Sequence, residues 1–540
     1  MPRTLARSAM LSLDDLRVGA RLLAALPGFL RAPLTLERSR QLIRERRERR
    51  GAHLVDAVKR AASRQDSPYA RLLAHAGCGA GEIAEMVARE GVEGALHALA
   101  RAGVFLAVDE LKGRRPVRRG SLELTVDPAT LVDPRAVVHG LAESSGSRGA
   151  PTPVPIDLAF VADHAVNTQL ALAAYGGGEW RHAHYGVPGG TAVTNPLELA
   201  KGGRPPDRWF TPVPLDVPGL SARYRAGWRA LWLGSRLAGV PLPSPITAPL
   251  DDPMPIVEWM SGELARGRIP HLWTFASSAV RVCQAALDAG GDLAGARFTA
   301  GGEPTTPARR AAIEAAGAVA LPRMGATETD ILAYACARPT AADDMHFFDD
   351  RHALVQPGEA AAEIGLPARA MLLTSLLPTA PIALVNVSLG DQAKVDRRAC
   401  GCGLEADGWT VHLREVRSFE KLTAGGVALL DVDVARVLEE VLPARFGGRP
   451  ADYQLVERLD GARARPEVRL VVEPSLGPLD ERRLGEEFLA AIAGGAGGER
   501  LMGLQWRGGG VLAIERSSPR RTPSGKVLHV HLEHRQAPER

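Results

Sequence analysis

The chain has 540 residues, 45% of them hydrophobic and 24% charged, with a formal net charge of +4. That supplies apolar material for about two to four domains. It leaves no apolar stretch near the roughly 20 residues that span a bilayer. The basic excess gathers at 38–50 (RSRQLIRERRERR), which reads as a solvated helix face rather than a nucleic-acid or membrane contact. The apolar run at 22–30 is broken by Pro27 and followed by no small-residue cleavage site, so no secretory signal is expected. Five irregularly spaced cysteines argue against a disulfide framework and for a reducing compartment, and hence for a cytoplasmic protein.

Residues 1–115 are expected to be helical, with long charged amphipathic stretches. Residues 122–126 (LELTV) alternate as a strand does. From there to 416, short apolar runs alternate with Ala-rich helical segments, the pattern of an α/β body with sheet layers. The Pro- and Trp-rich stretch 205–255 suggests irregular substructure or an inserted hairpin. Beyond about 415 the order is helix (Val434, Val437, Leu438, Val441), strand (453–459), strand (468–472), helix (480–492) and strand (511–514). That is a small α+β domain. The predicted division is 1–115, a helical part of the large domain; 116–416, the α/β body; and 417–540, a mobile C-terminal domain.

Three separated stretches carry chemistry. Ser144, Ser145, Gly146, Ser147, Arg148 and Gly149, followed by Ala150, Pro151 and Thr152, combine glycines, hydroxyls and one fixed cation. Such a loop can turn several N–H groups toward one anion. It is not the GxxxxGK[ST] loop of common NTPases. Gly301-Gly302-Glu303-Pro304 follows a strand-like stretch at 296–300, and Met324-Gly325-Ala326-Thr327-Glu328 follows a helical stretch at 307–316. A Thr-Glu pair at a strand end suits phosphate chemistry: the hydroxyl donates to phosphate oxygen and the carboxylate holds Mg2+. Residues 519–527 (PRRTPSGKV) make a turn that presents Lys526 at its tip, where a cation can offset charge as two anions meet.

In this order, the three resemble the motifs of the adenylate-forming superfamily of acyl-CoA synthetases and peptide-synthetase adenylation domains. The phenylacetate-CoA ligase-like branch is the nearest match. Pro151-Thr152, the Gly-Gly-Glu-Pro element and the upstream Ser67-Pro68-Tyr69, Leu72 and Ala76-Gly77 carry that likeness. The resemblance implies that 144–149 hold the β- and γ-phosphates of ATP. Gly302, Glu303, Pro304 and Gly325 would line the nucleotide site, Thr327 would meet the α-phosphate, and Glu328 would bind Mg2+. Leu389-Gly390-Asp391 looks like a Thr-Gly-Asp whose aspartate holds ribose. Arg417 looks like the arginine near the hinge, and Lys526 like the adenylation lysine. The chain departs from the pattern at Met324, where an aromatic residue is usual, at Leu389, at Ser147-Arg148, at 386–388 and at 417–421 (RSFEK).

Cys336, His346, Cys400 and Cys402 could form a tetrahedral structural zinc set, although their spacing matches no standard finger. Isolated buried thiols are the alternative, and relatives in the resembling branch bind zinc at similar places. Cys78 and Cys283 read as packing residues. His182 and His184, beside Trp180 and Tyr185, read as core or surface histidines or as neighbours of an acyl pocket. The function expected from the resemblance is a two-step ligase. A carboxylate attacks the α-phosphate of ATP and releases pyrophosphate, and a thiol, coenzyme A first among candidates, then takes the acyl group. A carrier protein or an amine as acceptor stays open, as does a non-catalytic nucleotide-binding relative. No nucleic-acid partner and no membrane span are expected.

Overall fold

The structure, a computed structural model, describes residues 12–143, 153–186, 191–214, 222–249, 252–302, 304–305, 307–418, 422–424, 427–429, 437–448, 452–459, 467–493, 512–520 and 530–534. The chain is an α/β protein. Its N-terminal part is helical: α1 (Leu13–Arg31), α2 (Leu36–Glu48), α3 (Arg50–Ala61), α4 (Pro68–His75), α5 (Ala80–Arg101) and the single turn α6 (Val108–Leu111). Ser12 caps α1 in a reciprocal capping box with Asp15. Helix α1 runs through Pro27 and buries Leu22, Leu26 and Leu30 on one stripe. Two short hairpins follow, β1 (Val117–Arg119) with β2 (Leu122–Leu124), and β3 (Gly140–Glu143) with β4 (Pro153–Ile156).

A twelve-stranded mixed sheet forms the body. One half is parallel, in the order β7 (Pro245–Thr247), β6 (Arg208–Thr211), β5 (Arg181–Tyr185), β8 (Pro270–Phe275), β9 (Arg297–Gly301) and β10 (Val319–Ala326). The other half is antiparallel: β11 (Asp330–Ala335), β12 (Met345–Phe347), β16 (Val411–Ser418), β15 (Val387–Arg397), β14 (Ala370–Ser375) and β13 (His352–Val355). The change of direction falls at the β10–β11 turn, which carries Thr327 and Glu328.

Helices cover both faces of the parallel half, as parallel strands require. α10 (Met254–Ala265), α11 (Ala276–Asp288) and α12 (Pro307–Ala315) close one face over Leu272, Phe298 and Ala320. α7 (Leu158–Ala173) belongs to the cores on the other side, with Leu170, Trp180, Trp273 and Tyr334, and α8 (Thr191–Lys201) packs against it. Among its described residues, the segment expected to be irregular or a hairpin carries two strands and a helix. Strands β6 and β7 are parallel and are joined across α9 (Ala222–Leu237), which packs on α1. The helix carries Trp228, Leu231 and Trp232; prolines at 212, 214 and 218 precede it and prolines at 241 and 243 follow it, so none interrupts it.

The basic run at 38–50 is only partly a solvated face. Arg46 is 5% exposed and pairs with Asp163 at 2.6 Å and Asp350 at 3.2 Å, while Arg50 pairs with Glu93. Beyond the body, β19 (Tyr453–Leu459), β20 (Glu467–Val472), β21 (Leu512–Arg516) and β22 (Val530–His534) form a separate sheet with helix Glu481–Ala493. Leu455, Leu470, Leu484 and Phe488 give it a core of its own. Among the described residues, no helix is long and apolar enough to cross a membrane.

Candidate functional site

The parallel strands β9 and β10 end side by side, with Pro322 opposite Ala300. Their C-terminal ends therefore bring Gly301-Gly302 against Arg323, Met324 and Gly325, at the edge where α/β sheets bind ligands. Two glycines there are steric requirements. Gly302 has φ +72°, and a Cβ on it would lie 2.6 Å from the Phe275 ring. A Cβ on Gly325 would lie 2.3 Å from the Asp330 carbonyl oxygen, because a bulge between Met324 and Gly325 tightens the hairpin. Pro304 is half-buried beside this edge. Met324, where an aromatic residue was expected from the likeness, is 9% exposed and packs into the body core.

The turn from β10 into β11 carries Thr327, which is half-buried, and Glu328, which is 8% exposed. Glu328 meets an ammonium that sequence reasoning passed over: Lys112 Nζ lies 3.7 Å from Glu328 Oε1. Behind the turn sits a buried polar network. Arg323 pairs with Asp330 at 2.9 Å and reaches Asn195 Oδ1 at 3.2 Å. Thr168 donates to Glu198 at 2.8 Å, and the Arg351 guanidinium lies against His164. Burial, and then the charge of Asp330, push the Glu198 carboxyl well above its usual range. Burial, helped by Arg351, pushes His164 well below 6.5. Asp330 has φ +54°, an uncommon conformation for a non-glycine residue, and its salt bridge to Arg323 helps hold it there.

Asp391 lies on β15, with Ser418 as its register partner on β16, and Gln392 faces Arg417 across the same pair. Leu389 is 4% exposed and part of the body core. The residues expected to form a phosphate loop, Ser144, Ser145, Gly146, Ser147, Arg148 and Gly149, together with Glu303 and Lys526, lie outside the described residues.

The antiparallel half brings the four expected zinc residues together. Cys336 follows β11, His346 sits in β12, and Cys400 and Cys402 lie in the loop between β15 and β16; their ligand atoms are all within 4.8 Å of one another. His346 Nδ1 faces the Trp409 carbonyl oxygen at 2.7 Å. A carbonyl only accepts, so Nδ1 carries the proton and the lone pair of Nε2 faces Cys402 Sγ at 3.1 Å and Cys400 Sγ at 3.5 Å. The backbone N–H groups of Cys400 and Gly401 both donate to the Glu405 carboxylate, which fixes the loop. The hydrogen bond from Cys336 holds the Cys402 thiol down at about 2 and raises Cys336 in turn. Beside the cluster, burial would raise the Asp344 carboxyl, but hydrogen bonds from His412 and from the Thr340 backbone and side chain hold it at about 2. Three sulfurs and one imidazole nitrogen within this span are the donor set of a closed tetrahedral zinc site. Cys283 is buried in the core of the parallel half and Cys78 is half-buried.

His182 and His184 are core residues. His182 Nδ1 lies 2.7 Å from His271 Nδ1, and His271 Nε2 lies 2.8 Å from Thr299 Oγ1. Burial pushes both His182 and His184 down to about 3.

No protein-family model matches the sequence, and no curated protein does. Among solved structures, the chain is similar to 2-hydroxyisobutyryl-CoA ligase in complex with 2-HIB-AMP and CoA in the thioesterification state. The identity is 14% over 93% of this chain and 91% of that one, with a TM-score of 0.56. It is also similar to that ligase in the postadenylation state with R3-HIB-AMP (13% identity, 93% and 91% covered, TM-score 0.44). A third similar structure is ATP-bound MatB from Rhodopseudomonas palustris (13% identity, 75% and 68% covered, TM-score 0.30). The first of these extends over nearly the whole length of both chains, so the chain has the fold of an adenylate-forming ligase.

Proposed function

We propose that the protein activates a carboxylic acid with ATP as an acyl-adenylate and passes the acyl group to a thiol, coenzyme A foremost. The observation that carries this reading is the β9–β10 edge. A Gly-Gly strand end lies against a Gly-Ala-Thr-Glu turn, with a buried carboxylate at Glu328, in an adenylate-forming fold. Pro151-Thr152 and Gly301 to Pro304 support the phenylacetate-CoA ligase-like branch.

The carboxylate oxygen attacks the α-phosphorus, the bond to the bridging oxygen breaks, and pyrophosphate leaves. A thiolate then attacks the acyl carbon and AMP leaves. Thr327 donates its hydroxyl to the α-phosphate, Gly302, Glu303, Pro304 and Gly325 line the nucleotide, Asp391 holds the ribose hydroxyls, and Arg417, near the hinge, also reaches the nucleotide. Ser144, Ser145, Gly146, Ser147, Arg148 and Gly149 hold the outer phosphates, and Lys526 neutralises charge at the reacting oxygens. One hard carboxylate beside a hydroxyl fits Mg2+, which takes one or two carboxylates and otherwise water and phosphate oxygen. Bound at Glu328, Mg2+ would supply charge neutralisation on the phosphates. Cys336, His346, Cys400 and Cys402 hold a structural zinc, and the protein works in the cytoplasm.

The test is carboxylate-dependent exchange of labelled pyrophosphate into ATP over a panel of aryl and aliphatic acids. Some acid should support exchange, and Lys526→Ala should lower it by at least about 100-fold. A folded, ATP-binding protein that exchanges with no acid would overturn the reading.

A further inference from the structure

The ion pair between Lys112 and Glu328 has a consequence for cation binding. The Lys112 side chain is 4% exposed and the Glu328 side chain 9%. Lysine is rarely that buried unless something pairs it. The lysine is also held in place by a built turn. Lys112 closes α6, its N–H bonding to the Val108 carbonyl oxygen at 3.0 Å. The Ala107 N–H donates to Glu110 Oε2 at 2.9 Å, and Arg119 grips both Glu110 oxygens at 2.9 Å while stacking 3.8 Å over the Phe105 ring. Next to this turn, Leu106 is stitched into the body. Its N–H reaches the Asn386 carbonyl oxygen at 3.1 Å, and its own carbonyl oxygen accepts from Ser388 at 2.9 Å, at the start of the strand that carries Asp391. This turn, anchored to the body through Leu106, sets the Lys112 ammonium near the Glu328 carboxylate.

We propose that Lys112 is a charge gate on the Glu328 carboxylate, so that this site accepts a divalent cation only together with a nucleoside triphosphate. The inference rests on the reading of Glu328 as the cation ligand of a nucleotide site. A divalent cation alone has to share the carboxylate with a buried ammonium, and the two like charges repel in a poorly hydrated place. A triphosphate brings several negative charges, which compensate both cations together. The gate keeps free metal out of the site and makes the metal–nucleotide complex the species that binds.

The probe is Mn2+ binding followed by electron paramagnetic resonance on the full chain after zinc saturation, with and without ATP. Wild type is expected to bind Mn2+ in the presence of ATP. Without ATP, its Mn2+ affinity at Glu328 is expected to be at least tenfold weaker than that of Lys112→Met. Lys112→Arg should behave as wild type, and adding Glu328→Gln to Lys112→Met should abolish the gained site. Lys112→Gln serves the same purpose if the Met variant does not fold, as judged by circular dichroism. Equal affinity of wild type and Lys112→Met for free Mn2+ overturns the gate, as does a gained site that survives Glu328→Gln. If wild type binds no Mn2+ even with ATP, the nucleotide-site reading fails, and the gate with it. If it binds Mn2+ with ATP but the neutral variants gain nothing without it, only the gate fails.

Discussion

The two ends of one strand, β11 (Asp330–Ala335), serve opposite purposes. At its start, the turn with Thr327 and Glu328 holds a carboxylate against a lysine from a distant helical turn, with a polar network of arginines and carboxylates behind it. At its end, Cys336 joins His346, Cys400 and Cys402 in a set whose imidazole tautomer and loop backbone are already fixed by Trp409 and Glu405. One end sets a buried carboxylate against a buried ammonium. The other is complete once the chain is folded. By joining the end of β11 to β12 and to the loop between β15 and β16, the cysteine cluster can tie these strands together.

The sharpest way to break this contrast is to remove the tie. Cys400→Ser/Cys402→Ser should abolish bound zinc in metal analysis and cost at least about 4 kcal/mol of stability, the class of effect that follows loss of a structural metal. Zinc retained in that variant, or no zinc in wild type, ends the tie's metal role. Next in size is the buried pairing under α2. Arg46→Met leaves Asp350 buried without its cation, and the urea midpoint of the body should fall by the equivalent of about 3–5 kcal/mol. The zinc content should be unchanged there, which separates the two effects.

The smallest effect per step is acidity. His164, His182, His184, His271 and His352 are all buried, and burial holds each below 6.5. The folded chain keeps them neutral as pH falls, whereas the unfolded chain takes up protons below about 6.5. Stability is therefore full above that value and declines as pH falls. For His182 and His184 the loss runs down to about 3, at about 1.4 kcal/mol per pH unit for each. Thermal melting between pH 7.5 and 5 checks the direction. A melting temperature that rises on acidification would show the histidines charged in the folded state.

Sequence reading reached the C-terminal sheet because its strands carry their own alternation; residues 453–459 are a strand as expected. It reached the β9–β10 edge because glycine requirements such as Gly302 and Gly325 are local and leave a local signature. The segment 205–255 departs from the irregular or hairpin form that its proline content suggests, because those prolines flank α9 and leave its interior intact. Helix α1 runs through Pro27 as the helical reading of 1–115 expects, its buried leucine stripe outweighing one missing hydrogen bond. Lys112 carried no signal, because its partner is far along the sequence and a single lysine after a short turn looks like any surface cation. Arg46 was hidden inside a charged run, since nothing local tells which arginine of a helix faces Asp163 and Asp350. The cysteine set was half-legible: the donors were countable, but their convergence depends on β12 pairing with β16.

Acyl-adenylate formation, as proposed, leaves one carboxylate oxygen on phosphorus. Wild-type protein, ATP, coenzyme A and a supported acid labelled with 18O in its carboxyl group should give AMP carrying one 18O, read by mass spectrometry, with pyrophosphate as the co-product. ADP with inorganic phosphate, or AMP without the label, would contradict acyl-adenylate formation.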